Sequence, residues 1–384
     1  MKKKTVKIIY IFSFIDRSLL NETIADQLAK VQDFETGFIL LNKQPSHYSD
    51  FLRKKKFKTW DIYYTGKKNL PSALFKVFKI LLKEKPDIIN TNLFDANIAG
   101  LLPAWMLGIK VRILSRHHSS LHHVYHPRYV WLDKLLNSLA THIVSPSPSV
   151  SKILIEKENV KPEKITLIPH GLPIESFSHV ETDRIAALQH KYFPSGKPFP
   201  VIGVISRFTH WKGIQYIISA FHTVLQSFPQ AHLLLANARG NYSGQIKKLL
   251  SELPPGHFTL IDFEQDSPAL YRLMDVFVHI PVDDHSEAYG QVYIESLASG
   301  IPSVFTLSGI ANEFIEDGRN ASVVPYKDSE AVAKAILRIL QDDDYRSRII
   351  KQGKADVARN YNENVMGKNL EMLFRNAVQF SQKK

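Results

Sequence analysis

The stretch of this chain richest in chemical possibility is His279-Ile-Pro-Val-Asp-Asp-His-Ser-Glu-Ala-Tyr-Gly-Gln-Val-Tyr-Ile-Glu-Ser-Leu-Ala-Ser-Gly-Ile-Pro302. A strand pattern ends near Pro281 and a loop runs on to Gly290. A helix is predicted from Gln291 to Ser299, with Gly300 at its C-terminal cap and Pro302 barring continuation. Glu287 stands before that helix and Glu295 lies in its second turn. The uncommitted amides at such a helix start, here around Gln291 and Val292, suit the oxygens of a diphosphate. A carboxylate accepts two hydrogen bonds at once, which matches the adjacent hydroxyls of a ribose or a hexose. A glutamate on each side of a phosphate-binding helix start can thus hold both ends of a sugar nucleotide. Taken singly, Glu287 reads equally well as a solvated loop residue and Glu295 as an ordinary exposed helix residue.

Five histidines, His117, His118, His122, His123 and His126, fall within ten residues. They follow a strand predicted over Val111–Ser115, so they occupy a strand-end loop. Imidazole is a common metal ligand. No cysteine or carboxylate accompanies this cluster in the sequence, however, so no metal site is expected. Asp283-Asp284 lacks the spacing of an Asp-x-Asp metal motif and reads as a solvated loop.

Glu287, seven residues and then Glu295, with Tyr289-Gly290 just inside and Ala298-Ser-Gly-Ile-Pro302 after, resembles the signature of a large retaining glycosyltransferase family. That family, family 4 of GT-B fold, is typified by bacterial mannosyl- and glucosyltransferases and sucrose synthase. Three further places agree. Ser206-Arg207 followed by Trp211-Lys212-Gly213 resembles the family's Gly-Arg…Lys-Gly element. Ile168-Pro-His-Gly-Leu-Pro-Ile-Glu-Ser-Phe177 resembles its Pro-Asn-Gly-x-Asp…Phe stretch, and Ser308-Gly-Ile-Ala-Asn-Glu313 with Asp317-Gly318 its Gly-Gly-x-x-Glu…Asp-Gly element. Motif order and spacing extend over roughly residues 85–330.

The resemblance implies a donor site for a UDP- or GDP-sugar built from Arg207, Lys212, Glu287, Tyr289, Gly290, Gln291, Val292 and Glu295. Arg207 and Lys212 would hold the diphosphate, and physics agrees: a guanidinium forks onto phosphate oxygens and an ammonium adds a point charge. With no metal or other cofactor expected, such cations must neutralise the departing diphosphate. Ser115-Arg-His117 falls where the family has Thr-x-His, which implies that His117 lies beside the reacting sugar and acts with Glu287 in catalysis. His118, His170 and Gly171 are further candidates by position. Two departures fall on the acceptor side. Ser13-Phe-Ile-Asp-Arg17 carries no glycine where the family has a glycine-rich loop, and Asn92 stands where a histidine is common.

Short β-branched runs alternating with helical patterns predict parallel sheets with crossover helices, hence two doubly wound Rossmann-like α/β domains facing a cleft. Strands are predicted over residues 6–14, 37–41, 87–90, 111–115, 142–145 and 165–169. A second series covers 201–205, 232–235, 258–262, 276–280, 303–305 and 322–324. The boundary is set near residue 185, before the breaker-rich run Pro194 to Pro200. Residues 1–185 then form an acceptor domain and 186–384 a nucleotide-sugar domain, its terminal helices free to cross back to the first. Lys2-Lys3-Lys4 followed by Ile8 to Ile15 superficially resembles a leader, but Asp16-Arg17 breaks the run and a first core strand is the better reading. Ala96 to Ile109 is too short to span a bilayer and contains Pro103, so a buried helix is expected.

The chain has 384 residues, no cysteine and a net charge of +12. Disulfides and thiolate chemistry are therefore excluded, and a reducing cytoplasm fits. Up to residue 180 there are 27 Lys+Arg against 15 Asp+Glu, and beyond it 22 against 22, so the whole excess lies in the first half. An anionic partner for that half is expected. No nucleic-acid motif accompanies the basic residues. A peripheral position at an anionic membrane surface is expected instead, through Phe51-Leu-Arg-Lys-Lys-Lys-Phe-Lys58 and the amphipathic Leu74-Phe-Lys-Val-Phe-Lys-Ile-Leu-Leu-Lys83. The resemblance then implies a lipid-linked or surface-polysaccharide precursor as acceptor. The alternatives are a sugar-nucleotide epimerase of the same architecture and a non-catalytic basic binding protein.

Overall fold

The computed structural model describes residues 5–382, so Lys2-Lys3-Lys4 lies outside the described residues. Two compact units emerge. One comprises residues up to Gly171 together with those from Glu363 onward, and the other comprises Leu172–Asn362.

The strands of the first unit are β1 (Val6–Ser13), β2 (Phe34–Asn42), β3 (Lys58–Tyr63), β4 (Ile88–Asn92), β5 (Val111–Ser115), β6 (His142–Ser145) and β7 (Ile165–Leu167). They form one parallel sheet in the order β3-β2-β1-β4-β5-β6-β7. The crossovers are α1 (Leu19–Ala29), α2 (His47–Lys54), α3 (Leu70–Glu84), α4 (Phe94–Met106), α5 (Leu121–Tyr125), α6 (Val130–Leu139) and α7 (Pro148–Glu156). Helices on both faces explain why β1 and β2 read as nearly continuous apolar runs rather than alternating ones. Tyr10, Phe12 and Phe38 pack with Tyr48 of α2 and with Met366, Leu370 and Phe374 of the last helix, Glu363–Gln382.

The second unit carries β8 (Val201–Ile205), β9 (His232–Ala236), β10 (Phe258–Ile261), β11 (Val276–His279), β12 (Ser303–Phe305) and β13 (Ser322–Val323). These again form one parallel sheet, in the order β10-β9-β8-β11-β12-β13. In each sheet the order reverses once, between β1 and β4 and between β8 and β11. Doubly wound sheets bind ligands outside the carboxyl ends of the strands at such a switch point.

One expectation needs correction. The units part at residues 171/172, not near 185, because Phe177, Leu188 and Phe193 share a core with Val201 and Phe277. Arg184 also forks onto Asp266 at 2.8 and 2.6 Å. The proline-rich run is thus an internal connection of the second unit. Residues 363–382 belong to the first unit, since the stripe Met366, Leu370, Phe374 and Ala377 is buried in the first core. Strand β3 was also missed. It is an edge strand, and Lys58 and Asp61 interrupt its apolar pattern as edge strands require.

Candidate active site

Strand β8 leads into Ser206-Arg207 and then a single tight turn, His210–Lys212. Gly213 follows with φ +74°, and a Cβ there would lie 2.0 Å from the Ile280 carbonyl oxygen. Only glycine lets this connection press against the end of β11. The Val282 amide donates to the Trp211 carbonyl at 2.9 Å, tying the two strand ends together. Lys212 is thereby delivered to Glu287: its ammonium donates to Glu287 Oε1 and sits 4.4 Å over the Trp211 ring.

His279, the last residue of β11, places Nε2 2.9 Å from the same Oε1. Burial would raise the Glu287 pKa, but the Lys212 charge and the His279 hydrogen bond outweigh it and hold the carboxyl at about 2. An ionised carboxylate only accepts, so His279 Nε2 is the donor. Burial keeps His279 itself below its ordinary range despite that carboxylate. Behind Glu287, its amide donates to Ser308 Oγ at 3.3 Å. Gly309, at φ +59°, approaches so closely that a Cβ would lie 2.9 Å from Glu287 Cβ.

The helix Gln291–Ala298 opens on Gly290 in the left-handed region, where a Cβ would meet the Tyr293 ring at 2.5 Å. Gln291 and Val292 form its partly buried first turn. Glu295 accepts from the Tyr271 hydroxyl at 2.9 Å. Burial raises its pKa to about 7 even though that hydrogen bond opposes the shift. Tyr289 is buried in the core of this unit, and Arg207 is exposed. Lys212, Glu287 and the helix start thus meet at the β8/β11 switch point. Sequence reasoning missed His279, since a histidine closing an apolar strand looks like one more core residue. Asp283 is not simply solvated, because its Oδ1 accepts from the Ser286 amide at 2.6 Å and its Oδ2 from the Ser286 hydroxyl at 2.7 Å.

In the first unit, a polar chain crosses the carboxyl ends of β4 and β5. Ser115 and Asn92 donate to Asn90 Oδ1 at 2.9 and 3.0 Å, and His117 Nε2 donates to Asn92 Oδ1 at 2.9 Å. The His170 ring centroid lies 6.0 Å from that of His117. Burial lowers His117 to about 4 and His170 to about 3, so both are neutral at pH 7. Gly171 donates its amide to Met366 Sδ at 3.1 Å.

The rest of the histidine cluster is different. Contrary to the sequence reading, carboxylates do accompany it in space, namely Asp133 of α6 and Glu158 just beyond α7. His122 Nδ1 lies 2.6 Å from Asp133, and His123 Nε2 lies 3.2 Å from Glu158. The buried Arg116 guanidinium reaches Asp133 at 3.4 Å and is bonded to Glu158, so one side-chain cation is shared between the two carboxylates. Among the described residues neither ring nitrogen of His118 finds a hydrogen-bond partner, although Nε2 lies 3.7 Å from Asp133, and burial lowers its pKa to about 2. This knot fixes the loop, while His117 turns instead toward Asn92 and His170.

Comparison with known proteins agrees with this geometry. Residues 188–356 match the family of glycosyl transferases group 1, and residues 22–176 match glycosyltransferase family 4. The two matches together take in most of the chain, which belongs to these family-4-type glycosyltransferases. Among curated relatives it is similar to the capsular polysaccharide biosynthesis glycosyltransferase CapM of Staphylococcus aureus. The two are 24% identical over 322 residues, covering 81% of this chain and 82% of CapM. Anabaena HepE, solved with UDP and glucose, superposes with a TM-score of 0.82 at 18% identity, over 96% of this chain and 99% of that one. A Neisseria meningitidis UDP-GlcNAc 2-epimerase reaches only 0.65 at 14% identity, over 96% and 100%. The fold is therefore GT-B, with two Rossmann-like domains.

Proposed function

We propose that the protein transfers a sugar from a UDP- or GDP-sugar to a lipid-linked or surface-polysaccharide precursor, with retention of anomeric configuration and without a metal ion. The observation that carries this reading is the Lys212–Glu287–His279 constellation beside a helix start that also bears Glu295. Glu295 holds the ribose and Glu287 the transferred sugar. Arg207 and Lys212, with the amides of Gln291 and Val292, take the diphosphate. As the bond from the anomeric carbon to the phosphate oxygen breaks, the acceptor oxygen bonds to that carbon, and the acceptor's proton ends on the diphosphate. The two cations stabilise the negative charge that develops on the leaving group. His117, neutral at working pH, hydrogen-bonds a hydroxyl of the reacting sugar.

The similarity to CapM, a glycosyltransferase of capsular polysaccharide biosynthesis, supports the acceptor class, as does the cationic excess of the first half. No helix among the described residues is long and apolar enough to cross a membrane. The reading accordingly has the protein working in the cytoplasm, peripherally at the inner face of the cell membrane. Proton NMR of the product formed from an α-linked donor in the presence of EDTA tests the chemistry. An α-linked product supports the reading. A β-linked product, activity restored only by adding back a divalent ion, or interconversion of the donor sugar without transfer each contradicts it.

A further inference from the structure

The basic run that the sequence singled out for membrane contact is largely committed elsewhere. Leu52 is fully buried, and Phe57 meets Phe38 edge-on at 5.1 Å. Arg53 is bonded to Asp61, Lys55 reaches Asp26 at 2.7 Å and Lys58 reaches Glu84 at 2.6 Å. Three of the run's five cations thus face carboxylates, and beside exposed Lys54 and Lys56 the segment presents no large exposed apolar side chain to enter a bilayer.

A neighbouring surface has the opposite character. Helix α4 packs against both α3 and α6. Their solvent sides carry Phe75 and Leu82 on α3, Trp105 and Met106 on α4, and Trp131 and Leu135 on α6, all between 44% and 64% exposed. Two of the four tryptophans in the chain are therefore held in water here. Leaving so many large apolar groups exposed on adjacent helices marks an interaction surface rather than ordinary scatter.

Charge specifies the partner. The three helices contain only three acidic residues, and each is occupied. Glu84 takes Lys7 and Lys58, Asp95 accepts from the Tyr64 hydroxyl at 2.8 Å, and Asp133 takes His122 and Arg116. Exposed Lys76, Lys79, Lys83 and Lys134 stand among the apolar groups, with Lys79 4.3 Å over the Phe75 ring. Interfacial tryptophans among lysines, with no free carboxylate, suit the headgroup region of an anionic bilayer. A protein partner would more naturally be met by a surface of mixed sign.

We propose that the outer face of α3, α4 and α6 is the surface that seats this protein on an anionic lipid leaflet. The proposal rests on the membrane part of the function proposed above and replaces Lys54, Lys55 and Lys56 as its contact.

Co-sedimentation with phosphatidylcholine vesicles, with and without phosphatidylglycerol, tests it, together with tryptophan emission. The wild type binds only the anionic vesicles, less as salt rises, and its emission shifts to the blue. Trp105→Ser with Trp131→Ser lowers vesicle binding by about tenfold or more and removes the blue shift, since interfacial binding scales with buried apolar area. Lys76→Glu, Lys79→Glu and Lys83→Glu together lower binding without touching either indole. Lys54→Glu, Lys55→Glu and Lys56→Glu together leave it unchanged. Equal binding by the tryptophan variant overturns the proposal, as does loss confined to the Lys54–56 variant. A wild-type dimer broken by the tryptophan changes would assign the face to a second copy and overturn it too. Absence of wild-type binding to any vesicle overturns both this surface and the membrane location. Release of nucleoside diphosphate from the donor in solution is read separately, so the transferase reading stands or falls on its own assay.

Discussion

Glu287 concentrates the chemistry of the second unit, because Lys212 and His279 both donate to one of its oxygens. In the proposed function, a diphosphate that draws Lys212 toward itself leaves His279 to keep the carboxylate aimed at the sugar. His279→Ala is therefore expected to lower kcat roughly ten- to a hundredfold, the worth of one charge-assisted hydrogen bond. Affinity for the free nucleoside diphosphate stays unchanged, and His279→Gln, which keeps a donor, recovers part of the loss. Steady-state kinetics beside calorimetry checks this; equal losses in both would reduce His279 to a packing role. Glu295 gives a second expectation. Burial holds its pKa at about 7, and in the proposed role the ribose hydroxyls would donate to the ionised form. Nucleotide affinity is thus full above pH 7 and falls by about tenfold for each pH unit below it. Glu295→Gln removes that dependence and leaves only the nucleotide's own titration. A wild-type profile matching the variant's between pH 8 and 6 would refute the assignment.

At the level of elements, glycines decide how closely strand ends meet. Gly213 and Gly108 share the left-handed region, at φ +74° and +68°, but only Gly213 has backbone where a Cβ would stand. Gly108→Ala should cost roughly 1 kcal/mol of stability from strain alone. Gly213→Ala must also push β11 away, so it should cost more and displace Lys212, lowering activity as well. Denaturant melts and assays of both variants check this, and equal behaviour would refute it. This region was legible in the sequence. A helix start flanked by Glu287 and Glu295, capped by Gly300 and stopped by Pro302, declares itself through local signals. Strand β3 was not legible, because an edge strand must break the apolar pattern that announces central strands. Nor were Asp133 and Glu158, since only the packing of α6 and α7 brings them to His122 and His123.

Over the whole molecule, two sheets with one reversal each could be read from the alternation of strand and helix patterns. The boundary between the units could not. The stripe Met366, Leu370, Phe374 and Ala377 tells that the last helix buries a face, but not which core receives it. Likewise, Phe177 and Leu188 precede the proline-rich run yet pack beyond it. The motif residues divide between the units accordingly, with His117 and His170 in the first and Arg207, Lys212, Glu287 and Glu295 in the second. In the proposed function Arg207 and Lys212 bind the diphosphate of a sugar nucleotide. The most direct test is calorimetric titration of UDP and GDP, and of their sugars, into the wild type and the Arg207→Ala, Lys212→Ala double variant. One nucleotide series should bind the wild type, and the double variant should bind it at least about a hundredfold more weakly, each lost contact being worth roughly 1.5–3 kcal/mol. Equal affinity in the two proteins would remove Arg207 and Lys212 from diphosphate binding.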